Sequence, residues 1–225
     1  MSEDSADQKR WYVRNAGTSS EPTFIHPTAD VSPLAKIGAG TQVWNWSQIR
    51  ERAVIGRDTI IGQMTYIGVE VVIGDRCRVM PKTAIDTGTV IGSDVFIGPH
   101  CLFPNDTTPR AWSTRDMQGV RWYVEDGVSF AADVIVLPDV SVGHHAFVAV
   151  RAIVNKDVPP HALMIGTPAR RHGWVSTAGH PMHMVRETDA GDLYVCPRTG
   201  EEVLILQEWK EGRWRPAALK ATARS

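Results

Sequence analysis

Aliphatic residues recur at every sixth position without a gap: Ile25, Val31, Ile37, Val43, Ile49, Ile55, Ile61, Ile67, Ile73, Val79, Ile85, Ile91 and Ile97, with Phe103 closing the column. Two positions before each stands a small or β-branched residue: Thr23, Ala29, Ala35, Thr41, Ser47, Ala53, Thr59, Thr65, Val71, Cys77, Thr83, Thr89, Val95 and Cys101. A helix does not explain this, because a period of six does not match 3.6. Side chains on a strand alternate faces, so two inward positions must lie two apart, and the paired columns meet that rule. One six-residue unit therefore holds one short strand and one turn, and the whole run reads as a parallel β-helix. Three units close a triangular coil, which puts residues 18 apart in sequence on neighbouring coils, about 4.8 Å from each other. Glycine follows the aliphatic at Gly38, Gly56, Gly62, Gly68, Gly74, Gly92 and Gly98, and the pattern predicts that these glycines supply the positive φ of each turn.

The pattern also divides the chain. Residues 1–21 read as a polar leader and 22–160 as the coil, interrupted by an excursion over 104–123 (PNDTTPRAWSTRDMQGVRWY). From Phe103 to Val124 the step is 21, not a multiple of six, after which Phe130, Val136, Val142, Val148 and Val154 resume the period. A loop of this length inside a compact solenoid is usually functional or disordered. Its Trp112, Trp122 and Arg110 argue for an ordered contact surface. Pro159–Pro160 should stop the ladder, leaving 161–225 as a C-terminal extension. There, Leu193–Val195 and Val203–Leu206 flank CPRTGEE and read as a hairpin, placed to cover the open end of the solenoid.

Composition narrows the partners. Net charge is −1, which gives no basis for binding nucleic acid or an anionic membrane surface. No apolar run is long enough to span a bilayer, and Met1–Arg10 lacks a signal-peptide core, so a cytoplasmic protein is expected. Cys77 and Cys101 fall in the small inward column and read as buried reduced thiols, while Cys196 is isolated. No spacing marks a metal site.

Several stretches carry a resemblance: IHPTA (25–29), VWNWSQI (43–49), VVIGDRC (71–77), FIGP (96–99), NKDVPPHALMIGTPARRHGW (155–174) and CPRTG (196–200). Together with the repeats and the excursion, they make residues 24–206 resemble the hexapeptide-repeat acyltransferase superfamily, and within it the bacterial N-acetyltransferases that act on nucleotide-linked amino sugars. The resemblance implies an all-β, left-handed parallel β-helix, a homotrimer with sites between subunits, and acetyl-CoA or another acyl-CoA as co-substrate without a metal. It implies that Lys156 and Arg170, with Arg171, meet the CoA phosphates as charge-assisted donors, and that Ala149 lies where the pantetheine passes. Arg151 departs from the Gly-Ala usual at Val150–Arg151 in relatives and becomes a further phosphate candidate.

Pro81–Lys82 stands where amino-sugar relatives carry an Asn pair, and His100 where they carry a small polar residue. Lys82 and His100 are 18 apart and so share one point on successive coils. Acyl transfer to a hydroxyl needs a base, and His100 is the candidate, held neutral by the Lys82 cation and oriented by Asp86 or Asp106. Asp86 lies 18 before Pro104, under the start of the excursion. Gln63, Asn105 and Arg110 are the candidate substrate contacts, and Trp46 and Met64 extend the Lys82–His100 column as an apolar strip. Among other histidines, His26 should bond locally, His161 reads as structural, and the adjacent His144 and His145 should face apart; His172, His180 and His183 fall in the tail. A zinc-dependent carbonic anhydrase of the same fold is disfavoured, since its separated histidine pair is missing. The sequence thus points to acyl transfer from acyl-CoA to an amine of a nucleotide-linked amino sugar or similar metabolite. Transfer to a sugar or natural-product hydroxyl and a non-catalytic trimeric scaffold are the alternatives.

Overall fold

The computed structural model describes residues 22–106, 108–112 and 122–215. Each unit is a two-residue strand, such as Gln42–Val43 or Ile60–Ile61, followed by a tight turn. Strands stack in parallel: Val43 opposes Ile61, Ile61 opposes Val79, and Val79 opposes Ile97. Three sheets of nine, seven and six strands form the faces of the coil. The first face begins at Phe24–Ile25, the second at Asp30–Val31 and the third at Lys36–Ile37. The aliphatic column from Val43 onward is buried, and Phe103 meets Phe130 edge-on at 5.5 Å in the core.

The small inward column does more than leave room. Thr41 Oγ1 donates to Gly56 O at 2.7 Å, Ser47 Oγ to Gly62 O at 2.7 Å, and Thr83 Oγ1 to Gly98 O at 3.0 Å. Each hydroxyl thus satisfies a turn carbonyl of the next coil, which explains why buried polar residues are tolerated here. Cys77 Sγ makes the same contact with Gly92 O at 3.1 Å. Burial pushes the Cys77 and Cys101 thiols up to about 11.

The glycine expectation is corrected. The left-handed residue of each turn lies three after the aliphatic, not one: Trp46, Met64, Lys82, His100, Asp133 and Arg151 have φ of 56°, 57°, 61°, 60°, 58° and 59°. The glycine next to the aliphatic is needed for close approach. A Cβ on Gly74 would stand 2.6 Å from the carbonyl carbon of Gly92 in the next coil.

The excursion leaves the corner between the second and third faces. It ends earlier than expected, because Trp122 is no surface residue: Trp122–Val124 is a strand opposing Thr89–Ile91. Its fully buried indole N–H donates to Leu137 O at 2.8 Å. Partners across the excursion lie 33 apart in sequence, as His100 and Asp133 do.

The proline pair does not end the ladder. Ala162–Ile165 continues the first face in parallel against Phe147–Val148. Arg170–Trp174 then folds back antiparallel. The expected hairpin, Gly191–Val195 with Glu202–Leu206, carries a third strand, His183–Thr188, ahead of it. That strand is exposed along its whole length and has no apolar alternation to reveal it. A short helix, Gln207–Lys210, follows. No helix among the described residues is long and apolar enough to cross a membrane.

Candidate active site

The corner between the first and second faces carries one left-handed residue per coil, and their side chains form a ladder. Its rungs are joined by backbone bonds: Met64 N–H to Asn45 O, Lys82 N–H to Gln63 O, His100 N–H to Pro81 O, Asp133 N–H to Pro99 O and Arg151 N–H to Ala132 O, all 2.9–3.1 Å. Trp46 and Met64 are 58% and 46% exposed, giving an apolar stretch that leads into Lys82, His100, Asp133 and Arg151.

His100 Nδ1 lies 3.2 Å from Asp133 Oδ1, and Arg151 Nε lies 3.4 Å from Asp133 Oδ2. A carboxylate accepting the Nδ1 proton leaves Nε2 as a free lone pair facing solvent, the tautomer a general base needs. Asp133 was not among the expected residues. The excursion hid it: the ladder runs at 18 except here, where the inserted residues stretch the step to 33. Counting the excursion out of the 21-residue step would have found it.

The expected orienting carboxylates lie elsewhere. Asp86 stands on the corner between the second and third faces, where it accepts the backbone N–H of Asn105 and half-burial raises its pKa. Asp106 Oδ1 accepts Thr108 N–H at 2.8 Å within its own loop. The charge bonded to the His100 ring is the Asp133 anion, while Lys82 occupies the rung beneath.

The other candidates divide between corners. Gln63 and Ala149 belong to the His100 corner. Thr167 Oγ1 donates to Arg151 O at 2.9 Å and Ala169 N–H to Ile153 O at 2.8 Å, so exposed Arg170 stands at the end of the same corner. Asn105, Arg110 and Lys156 are on the next corner, and Arg110 there donates to its neighbour Pro109 O at 2.7 Å. Arg171 is committed to the protein: its guanidinium donates to Trp209 O and Lys210 O and covers the Trp174 ring at 4.5 Å.

On the third corner the expectation that adjacent histidines face apart fails. His144 and His145 bring their Nδ1 atoms to 3.1 Å, and His161 joins them. Burial lowers the His144 pKa and takes His161 down to about 4. His26 bonds locally to Thr28 Oγ1 at 3.0 Å, as expected. In the tail, hydrogen bonds from Thr199 and Ser176 hold the Cys196 thiol down, at about 7.

Residues 34–68 and 70–105 match the bacterial transferase hexapeptide family (six repeats). The chain is 32% identical over 87 residues to galactoside O-acetyltransferase of Lactococcus lactis subsp. lactis, covering 37% of this chain and 42% of that one. It is 27% identical over 110 residues to an acyl-[acyl-carrier-protein]–UDP-N-acetylglucosamine O-acyltransferase of Brucella ovis, covering 48% and 33%. A solved variant of perosamine N-acetyltransferase from Caulobacter crescentus, with CoA and GDP-perosamine, aligns at 26% identity and a TM-score of 0.39, covering 68% and 57%. The chain thus spans less than half the length of these curated relatives. By its repeats and its coil, the protein is similar to the hexapeptide-repeat transferases: the family's repeats match residues 34–68 and 70–105, and the chain carries them on three parallel sheets.

Proposed function

We propose that the protein transfers an acetyl or other acyl group from acyl-CoA to a sugar-type acceptor, with His100 as the general base. The observation that carries this is the His100–Asp133 pair, 3.2 Å apart on an exposed corner. His100 Nε2 takes the acceptor proton as the acceptor attacks the thioester carbonyl. The same imidazolium then returns the proton to the departing CoA thiolate. Asp133 holds the ring and balances its transient charge. A base of this kind matters most for a hydroxyl acceptor, and the curated relatives named for O-acylation support that acceptor. An amine of a nucleotide-linked amino sugar is the second reading, supported by the VWNWSQI and CPRTG stretches.

Arg151 and Arg170 stand at one end of the His100 corner and are the donors for the CoA phosphates, with Lys156 next to them in the following corner. Asn105 and Arg110 leave from a different corner, and a homotrimer that sets this corner of one subunit against the His100 corner of the next would let both serve one acceptor. Free thiols at all three cysteines support a cytoplasmic setting.

The test is acetyl-CoA binding by calorimetry, followed by thiol release with alcohol and amine acceptors, in wild type and His100→Gln. Saturable binding near one site per chain, with turnover lost in the variant, upholds the proposal. No binding of acetyl-CoA or CoA turns the protein into a scaffold or a user of carrier-protein donors.

A further inference from the structure

We propose that His144, His145 and His161 form a binding site for a late first-row divalent cation, Zn²⁺ foremost, on the corner between the third and first faces. This corner is distinct from the one that carries His100. His144 and His145 lie in the turn between Ser141–Val142 and Phe147–Val148, and His161 lies one coil on, its N–H bonded to His144 O at 2.9 Å. His145 and His161 occupy left-handed turn positions, with φ of 57° and 60°. That backbone swings the His145 ring to the same side as His144, so neighbours in sequence converge. The His145 ring stacks on His161 at 5.2 Å, and the His144 ring meets His161 edge-on at 5.1 Å.

One potential ligand nitrogen from each ring lies within 4.8 Å of the others. Zn–N bonds of about 2.0–2.1 Å at tetrahedral angles space ligand nitrogens at about 3.3 Å. The 3.1 Å between the Nδ1 atoms of His144 and His145 is already near that spacing. His161 Nδ1–H donates to Val175 O at 2.8 Å, which fixes the tautomer and presents Nε2 as a lone pair. A carbonyl behind a metal-ligating histidine is the usual outer support of such sites. Gly127 clears the space, since a Cβ there would stand 2.7 Å from His145 Cδ2. His144 and His145 border an open surface depression with Glu125 and Asp126, which gives water access as a fourth ligand. One oxygen of each carboxylate is taken, Glu125 Oε2 by His144 N–H and Asp126 Oδ1 by Ser93 N–H, and the ligand atoms that gather within 4.8 Å of one another come from the three imidazoles. The donor set is therefore imidazole nitrogen, which suits Zn²⁺ and its neighbours over Mg²⁺ or Ca²⁺.

The competing arrangement is a metal-free cluster with one Nδ1–H donating to the other. The full chain, stripped with EDTA and desalted, is titrated with Zn²⁺ against a chromophoric chelator and separately loaded with Co²⁺. We expect about one Zn²⁺ per chain and the visible ligand-field bands of four-coordinate Co²⁺. His144→Gln and His145→Gln should each weaken binding beyond the roughly 10–100-fold that outer-shell changes alone produce. His172→Gln, outside the cluster, should leave affinity unchanged. Should one variant fail to fold, the other variant and the wild-type Co²⁺ spectrum still decide. Zn²⁺ far below one per chain, octahedral Co²⁺, or unchanged affinity in a folded His144 or His145 variant overturns the site.

Discussion

Two corners of the same coil use the same backbone and end in opposite environments. At the His100 corner, left-handed residues from Trp46 to Arg151 point to solvent, and His100 itself is 54% exposed at its side chain. At the opposite corner, Asp58, Arg76, Asp94, His145 and His161 take the same φ of 55–60°. There the C-terminal extension closes over the last coils: Trp209 packs edge-on against His144, and His161 is buried with its Nδ1–H donated to Val175 O. The repeat fixes where each side chain starts, and the tail decides which of them meets water. Histidine at one left-handed position stands open to solvent beside a carboxylate, and at the other it belongs to a sheltered cluster.

The largest expected effect breaks this comparison by function. His100→Ala should lower acyl transfer by about 10²–10⁴-fold, the range of a lost general base, while the unfolding midpoint stays unchanged. Thiol-release rates beside a urea melt measure both. Retention of more than about a tenth of the rate would remove His100 from the chemistry.

His161→Ala should show the reverse. It leaves the buried side of Val175 O without its donor and removes the ring stacked on His145. An unsatisfied buried acceptor costs about 1–3 kcal/mol, read as a lower urea midpoint at constant slope. Activity per folded molecule should hold, because the His100 corner is untouched.

Asp86 gives a smaller and more discriminating test, because the sequence placed it with His100 and the structure does not. Asp86→Asn keeps an acceptor for the Asn105 N–H and removes a half-buried charge. Turnover should stay near wild type, whereas a ten-fold loss would restore Asp86 to the site. The pH dependence has a definite sign. Burial raises the folded pKa of Asp86, so the folded state holds that proton more tightly than the unfolded one. Its contribution to stability therefore rises as pH falls through the carboxylate range, and at neutral pH the charged form is a small liability. Unfolding curves of Asp86→Asn and wild type should converge toward low pH, with the variant equal or better at pH 7.

These contrasts follow what the sequence could and could not reveal. The inward columns were legible because period six and strand alternation act on neighbouring residues alone. The break at 104 was legible because it destroys that period. Asp133 was not, since its partnership with His100 depends on how many residues the excursion inserts. Trp122 read as a surface aromatic because it sits beside polar residues, yet it fills the inward column next to Val124. The turn glycines were located correctly and explained wrongly: the demand on Gly74 comes from the next coil, which no local pattern reports. The histidine trio depends on the left-handed φ of His145 and on Val175, fourteen residues beyond His161.

The smallest effect belongs to the remaining corner, where the early coils place charges in open solvent. Arg52 Nε meets Glu70 Oε1 at 2.8 Å, one coil apart, with side chains 59% and 58% exposed. Both ends are solvated, so water and salt replace most of the attraction when the pair is lost. Arg52→Ala should shift stability by about 0.2–1 kcal/mol, and the shift should shrink further in high salt. The same truncation also removes a long side chain from a left-handed position, a backbone term that salt does not screen. Melts at low and high ionic strength separate the two. A difference that survives high salt would mean that the left-handed turn, and not the ion pair, selects the residue at this corner. The same rule would then govern the His100 and His145 corners, where backbone preference and chemistry have to be satisfied by one side chain.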